Sequence, residues 1–331
     1  MKKMILCLTA LILIIGGLAG CAALPADDGR PEVVCTTFAQ YDWVRRITDG
    51  TDRLHITLLV GSGRDMHSYN PSVADIAAIT ESDLLIYDGG VSEAWVGKIA
   101  ENRRVGETLN LMEILGDGVR REELPEGAGE EHDRDGHVHE PGETEADEHV
   151  WLSLRNASLF CGRIAEALCR LDETNADVYR RNNEAYCAEL ASLDRDFASF
   201  VASSAKKTLI FADRYPFRYL AEDYGLSCYA AFPGCSSESD ASFETVIVLA
   251  EKVDETGAPG VLVIDGSDEK VARAVLGATK KKTGQIFRVD SMQSVVDPEK
   301  KDYLETMRQN LAVFSDFLRE NGETGERSGT F

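Results

Sequence analysis

Basic residues are scarce in this chain. Its 331 residues hold 35 Lys and Arg against 57 Asp and Glu, a formal net charge of −22 with the histidines neutral. So acidic a surface repels phosphate backbones and anionic headgroups, which argues against nucleic acid and acidic lipid as partners and suits the attraction of cations. Close cysteine pairs are missing too. The eight cysteines form no CxxC, which argues against a Cys-rich zinc knuckle. Nor is there an HExxH, the pairing of metal ligands with a general base that a zinc hydrolase needs, so an enzyme is not expected. The two halves share an order of elements but no repeated sequence.

Long apolar runs are nearly absent. The one at the start, Met4 to Ile15, is too short to span a bilayer comfortably. It follows Lys2 and Lys3 and precedes Leu18-Ala19-Gly20-Cys21, a pattern that resembles a bacterial lipobox. Residues 1–20 then read as a lipoprotein signal peptide, cut before Cys21, whose thiol carries the lipid. A lipid on Cys21 holds the folded body at the outer face of the cell membrane. Cys35, Cys161, Cys169, Cys187, Cys228 and Cys235 remain, mostly as small apolar core residues. Cys228 and Cys235 are close enough in sequence to bridge a short loop, but sequence does not give connectivity.

Histidine is also rare, yet four of the six (His132, His137, His139 and His149) fall in one stretch, His132 to Ala157. Residues 122–147 are acidic, Gly- and Pro-containing, and too polar to order themselves through burial, so they read as a mobile loop. Short His-rich tracts are a compositional sign of metal binding. The bland alternative is a solvated acidic loop. His149 stands where that loop meets the apolar Val150-Trp151-Leu152.

Elsewhere the hydrophobic period alternates between two and 3.6. Strands are predicted over 32–37, 54–60 and 83–87, with helices over 38–49, 72–79 and 92–100 between and after them. After the loop come helices over 156–171 and 175–203. The second carries Tyr186, Leu190, Leu193, Phe197 and Phe200 as one stripe, and about 28 residues reach roughly 42 Å, long enough to connect two lobes. Strands over 208–212, 226–231, 261–265 and 285–289, with helices over 243–255, 269–282 and 303–320, complete the chain. The fold class is α/β, with mostly parallel sheets flanked by helices. In domain terms, 21–31 is a linker, 32–172 an N-terminal lobe, 173–204 a rigid linking helix, 205–320 a C-terminal lobe, and 321–331 a tail.

Four side chains end strands or loops where ligands bind in open α/β sheets. His67 lies in the Gly-rich turn after the second strand, and His149 follows the loop. Asp213 follows the strand 208–212, and Asp265 ends 261–265 just before Gly266. Two imidazoles with one or two carboxylates suit zinc and can suit manganese.

The motifs around these residues resemble those of a known family. Asp65-Met66-His67-Ser68-Tyr69-Asn70-Pro71 is similar to the D-P-H-x-Y-x-P element of the zinc and manganese solute-binding lipoproteins of ABC importers (cluster A-I). Asp147-Glu148-His149-Val150-Trp151-Leu152 with Arg155-Asn156-Ala157 resembles the second His element of that family. Tyr219 with Tyr224-Gly225-Leu226 and Val263-Ile264-Asp265 resemble its last two elements. The resemblance implies two α/β lobes on one rigid helix, a metal between them, and His67 and His149 as ligands. It breaks at the third element, where Arg214 stands in place of a family His or Glu. An arginine cannot ligate a cation. Three substitutes stay open: Asp213, a water, or one of the loop histidines His132, His137 and His139. Asp265 stands where many members have Glu, and the resemblance puts Cys235 beside the cleft as a further candidate ligand.

The expected function is therefore that of a monomeric, extracytoplasmic, lipid-anchored protein that captures Zn2+ between its lobes and passes it to an ABC importer permease. The alternatives are manganese or iron as cargo, or a surface adhesin active in cell adhesion. The His-rich loop favours zinc over hard manganese.

Overall fold

In a computed structural model of the chain, residues 29–103, 106–122, 145–236 and 240–319 are described. Two four-stranded sheets, both wholly parallel, follow one another along the chain. The first is built from β1 (Glu32–Cys35), α1 (Phe38–Thr48), β2 (His55–Leu58), α2 (Val73–Glu81), β3 (Leu84–Tyr87), α3 (Ala94–Ala100), β4 (Glu107–Asn110) and the short α4 (Leu111–Leu115). Helices α5 (Leu154–Leu171) and α6 (Ala176–Ser203) follow. The second comprises β5 (Thr208–Tyr215), α7 (Arg218–Tyr224), β6 (Ser227–Pro233), α8 (Phe243–Thr256), β7 (Gly260–Ile264), α9 (Lys270–Ala278), β8 (Gln285–Val289) and α10 (Tyr303–Leu318).

The strand orders are β2-β1-β3-β4 and β6-β5-β7-β8. Interior strands β3 and β7 are buried along their whole length, as parallel strands covered on both faces must be, which is why Leu84-Leu85-Ile86-Tyr87 and Val261-Leu262-Val263-Ile264 read as continuous apolar runs. In each sheet the chain reverses its direction of travel beside the first strand. Crevices at such switch points, outside the carboxyl ends of the strands, are where open α/β sheets hold ligands.

Helix α6 runs 28 residues, about 42 Å. Its buried stripe is Tyr186, Leu190, Leu193, Phe197 and Val201. Val201 takes the last place, while Phe200 is only partly buried against the same core. One large apolar cluster spans both sheets and the helices between them. The stretch 290–302 leaves the second sheet and reaches α1 and the turn after β2: Arg45 Nη1 donates to the Pro298 carbonyl at 3.1 Å, and the Gly63 backbone N–H to the Val295 carbonyl at 2.9 Å.

Sequence periodicity did not indicate β4, α4 or α7. Each is short, and α7 packs as one fully buried turn of Tyr219, Leu220 and Ala221 rather than as an amphipathic stripe. A second difference bears on the site. Strand β5 does not stop at Ala212 but runs through Tyr215, with a register irregularity between Phe211 and Arg214. Asp213 and Arg214 therefore belong to a bulged strand rather than to the loop after it.

Candidate metal site between the two sheets

The carboxyl ends of both sheets open onto one cavity of ≈ 580 Å³. His67, Arg214, Cys235 and Gly266 line it, and they follow or end β2, β5, β6 and β7. A larger open hollow of ≈ 790 Å³ between α5 and α6 contains Cys169 but no histidine.

His67 sits on a single 3-10 turn, Met66–Ser68. Asp65 caps that turn, its Oδ1 accepting the His67 backbone N–H at 2.9 Å. Ser62 and Gly63, with φ of 59° and 75°, turn the chain from β2 into it. The His67 ring is fixed on its far side, where Nδ1 lies 2.9 Å from Ser92 Oγ. Ser92 is held in turn through its backbone N–H, which donates to Glu148 Oε1 at 2.8 Å.

His149 is fully buried, on the segment entering α5. Asp147 Oδ1 accepts both its backbone N–H and its Nδ1–H, each at 2.9 Å. The Asp147 carboxylate also faces Arg218 at 3.4 Å, and its carbonyl accepts the Tyr219 hydroxyl at 2.7 Å. Tyr219, singled out in the sequence for its family element, thus serves to anchor the His149 segment.

With both Nδ1 atoms engaged elsewhere, each ring presents Nε2 to the cleft, and the two Nε2 atoms are 3.2 Å apart. Two nitrogens bound to one tetrahedral zinc at 2.0–2.1 Å are about 3.3 Å apart. The pair is spaced as if around such an ion. Burial, and then the neighbouring His149, push the His67 imidazole down to about 3. Burial would lower His149 as well, but Asp147, with Glu122 and Glu148, outweighs it and holds His149 above the usual value. Behind the pair lie further buried acids. Burial raises Glu148 and Glu93 and pushes Asp88 up to about 7.

Among the described residues, the ligand atoms that gather within 4.8 Å of one another are those of His67, His149 and Cys235. Asp213 and Asp265, the two aspartates of the expected two-histidine, two-aspartate set, stand outside this group, although Asp213 lines the same cavity. Asp213 spans the bulge in β5: Oδ1 accepts the Arg214 backbone N–H at 2.8 Å and Oδ2 faces the Ile264 N–H at 3.4 Å. Asp265 Oδ1 accepts both the backbone N–H and the hydroxyl of Ser291, each at 2.7 Å. Both carboxylates are occupied with holding strand ends and a following turn. Arg214 pairs with Asp65 at 3.1 Å. Cys235, beside Gly234, follows β6, and its backbone N–H donates to Glu122 Oε1 at 2.8 Å. Burial first, and then Glu122, Glu148 and Asp147, push its thiol up. All six cysteines of the described body, Cys228 included, are free. His132, His137, His139 and Cys21 lie outside the described residues.

One side chain went unnoticed in the sequence. Gln293, buried on the segment after β8, brings its Nε2 into close contact with His149 Nε2 and to 3.2 Å from His67 Nε2. Its Oε1 is buried with no hydrogen-bond partner among the described residues. Met292, with φ of 60°, turns the chain so that Gln293 enters the cleft. No local pattern marks a lone glutamine in a turn, so only the fold reveals it.

A family model described as zinc-uptake complex component A, periplasmic, matches residues 33–317. The chain belongs to that family. Among its curated relatives, the zinc-binding lipoprotein AdcA of Streptococcus pneumoniae is 26% identical over 322 residues, covering 97% of this chain and 62% of AdcA. The chain thus spans about six-tenths of the length of that relative. The high-affinity zinc uptake system protein ZnuA of Bacillus subtilis is 26% identical over 286 residues, covering 86% of this chain and 87% of its own. The periplasmic zinc-binding protein TroA of Treponema pallidum shares the fold, with a TM-score of 0.71 at 22% identity over 88% of this chain and 100% of TroA. The two-sheet architecture with its long helix is that of the metal-binding members of this group.

Proposed function

We propose that this protein captures Zn2+ from outside the cytoplasm, holds it between His67 and His149, and delivers it to the membrane permease of an ABC importer. One observation carries the reading: two imidazoles, 82 residues apart in sequence, aim their free nitrogens at one point with the spacing of tetrahedral zinc. Each is fixed through Nδ1 by a partner of its own, the arrangement that orients metal-ligating histidines. The names of the relatives, each given for zinc binding or zinc uptake, support the same cargo.

The task needs no chemical transformation of the cargo, only its coordination and release. Capture needs deprotonated ligands, and release needs a change in their geometry, which a docking permease supplies by favouring a different separation of the two sheets. The lipid on Cys21 keeps a monomeric body near that permease, and His132, His137 and His139 supply weaker, additional positions that raise the local ion concentration.

Competitive zinc titration of His67→Ala and His149→Ala tests this reading. Each variant is expected to keep its fold and to lose tight binding by orders of magnitude. A wild-type zinc curve from either variant removes that residue from the site.

A further inference from the structure

The site needs a third protein ligand, and the family position for it holds Arg214, which is turned into a pair with Asp65. The two carboxylates nearest in sequence accept hydrogen bonds elsewhere, Asp213 (which also lines the cavity) from backbone amides across the bulge and Asp265 from Ser291, and neither joins the group of ligand atoms around the two imidazoles. What the fold brings to the histidines instead is a sulfur. Resting on the zinc-capture reading above, we propose that Cys235 supplies the third protein ligand as a thiolate. The cleft then selects thiophilic ions such as zinc, cobalt and cadmium against manganese.

Three features support this. Among the described residues, Cys235 Sγ belongs to the group of ligand atoms within 4.8 Å of one another that includes both imidazoles. Around a tetrahedral zinc with a sulfur at about 2.3 Å, each nitrogen-to-sulfur separation is about 3.6 Å, which falls inside the 4.8 Å that encloses the three ligand atoms. Next, the residue before it is fitted to the site. A Cβ at Gly234 would lie 2.7 Å from His149 Cε1 and 2.9 Å from the Tyr215 carbonyl oxygen. Only glycine lets this backbone lie against the imidazole and carry Cys235 past it. Finally, the point between the ligands has an unmet polar demand. Gln293 touches both Nε2 atoms while its buried Oε1 has no partner among the described residues, an arrangement that a bound cation relieves if the amide turns over.

The chemistry follows from ligand softness. A thiolate prefers zinc and softer ions, whereas manganese prefers carboxylate and water oxygen. On binding, the thiol proton leaves to solvent and the sulfur lone pair takes the metal, with no change of oxidation state.

Cobalt(II) reports the sulfur directly, because a cobalt–thiolate bond adds charge-transfer absorption in the near ultraviolet to the visible ligand-field bands. The wild-type protein is expected to take up one tightly bound cobalt with both sets of bands. Cys235→Ser should keep the visible bands through His67 and His149, lose the charge-transfer absorption, bind zinc at least about tenfold more weakly, and lose much of its preference for zinc over manganese. Cobalt bound by the wild type without charge-transfer absorption overturns the thiolate while leaving the histidine site standing. The same absorption persisting in Cys235→Ser does likewise. A wild-type protein that takes up no cobalt and no zinc overturns both proposals.

Discussion

Arg214 Nη2 lies 3.1 Å from Asp65 Oδ2, joining the second sheet to the turn that carries His67. The pair is partly exposed and contributes little stability by itself. Its effect is on the field in the cleft, where the guanidinium is a cation beside His67 and Asp65 offsets it.

The two partners should act on zinc in opposite directions. Arg214→Gln removes a positive charge beside the ion and is expected to tighten binding by up to about tenfold, more so at low ionic strength. Asp65→Asn leaves the guanidinium unbalanced and loosens the cap on the His67 turn, so binding weakens. Titrations at two salt concentrations test this, and a fall in affinity for Arg214→Gln would show that the arginine holds the turn rather than opposes the ion.

Asp147 carries the orientation of His149. Asp147→Asn keeps the shape but loses the charge that faces the Nδ1–H and Arg218. Zinc affinity is expected to drop about 10–100-fold, the usual cost of losing such a partner, with circular dichroism unchanged. An affinity within twofold of wild type would mean that packing alone orients the ring.

The pH dependence should come from His149 among the two imidazoles. Its folded value is raised above the usual 6.5, while His67 is pushed down to about 3 and stays neutral. In the empty protein, the stability from the charged His149–Asp147 pair is fully present below the unfolded value and lost as pH rises through the folded one. Zinc needs the neutral ring, so affinity runs the other way and climbs as pH rises through that same folded value, with His149 giving up a proton for each ion bound. Calorimetry of Cys235→Ser, which lacks the thiol proton, in buffers of different ionisation enthalpy between about pH 6 and 8 counts those protons. A flat affinity and no proton release would contradict the raised value.

Gly234→Ala probes the close approach of β6 to His149. The added methyl would fall 2.7 Å from the imidazole and 2.9 Å from a backbone oxygen, so the ring or the strand end must shift. About 1–3 kcal/mol of stability and at least tenfold in zinc affinity should be lost. Thermal unfolding with and without zinc separates the two effects, since a displaced site shrinks the zinc-induced rise in Tm. An unaltered rise would show that the strand end yields freely.

Deleting Glu131 to Gly142 removes His132, His137 and His139 and leaves His149 in place. One tight zinc should remain, with only weaker ions lost, as read by elemental analysis after dialysis. Loss of the tight ion would put a loop histidine, rather than Cys235, in the place that Arg214 leaves open.

The sequence by itself determined the alternation of strands and helices, because burial on both faces writes Leu84 to Tyr87 and Val261 to Ile264 as apolar runs and a helix buried on one face writes the α6 stripe every three or four residues. It also singled out His67 and His149, which sit in specific local motifs and which the fold brings together. Only the tertiary structure decided the rest of the site. Asp213 and Asp265 look like ligands in a linear reading because they end strands, but whether a carboxylate faces the cleft depends on which backbone amides lie across the bulge and on where Ser291 falls. Gln293 has no local signature, Cys235 stood beside the cleft only through the family resemblance, and both come near the imidazoles because β6 and β8 end at the same cleft as β2. Spacing along a chain constrains neighbours within one element, whereas a metal site joins the ends of several, and that geometry exists only once the sheets have packed.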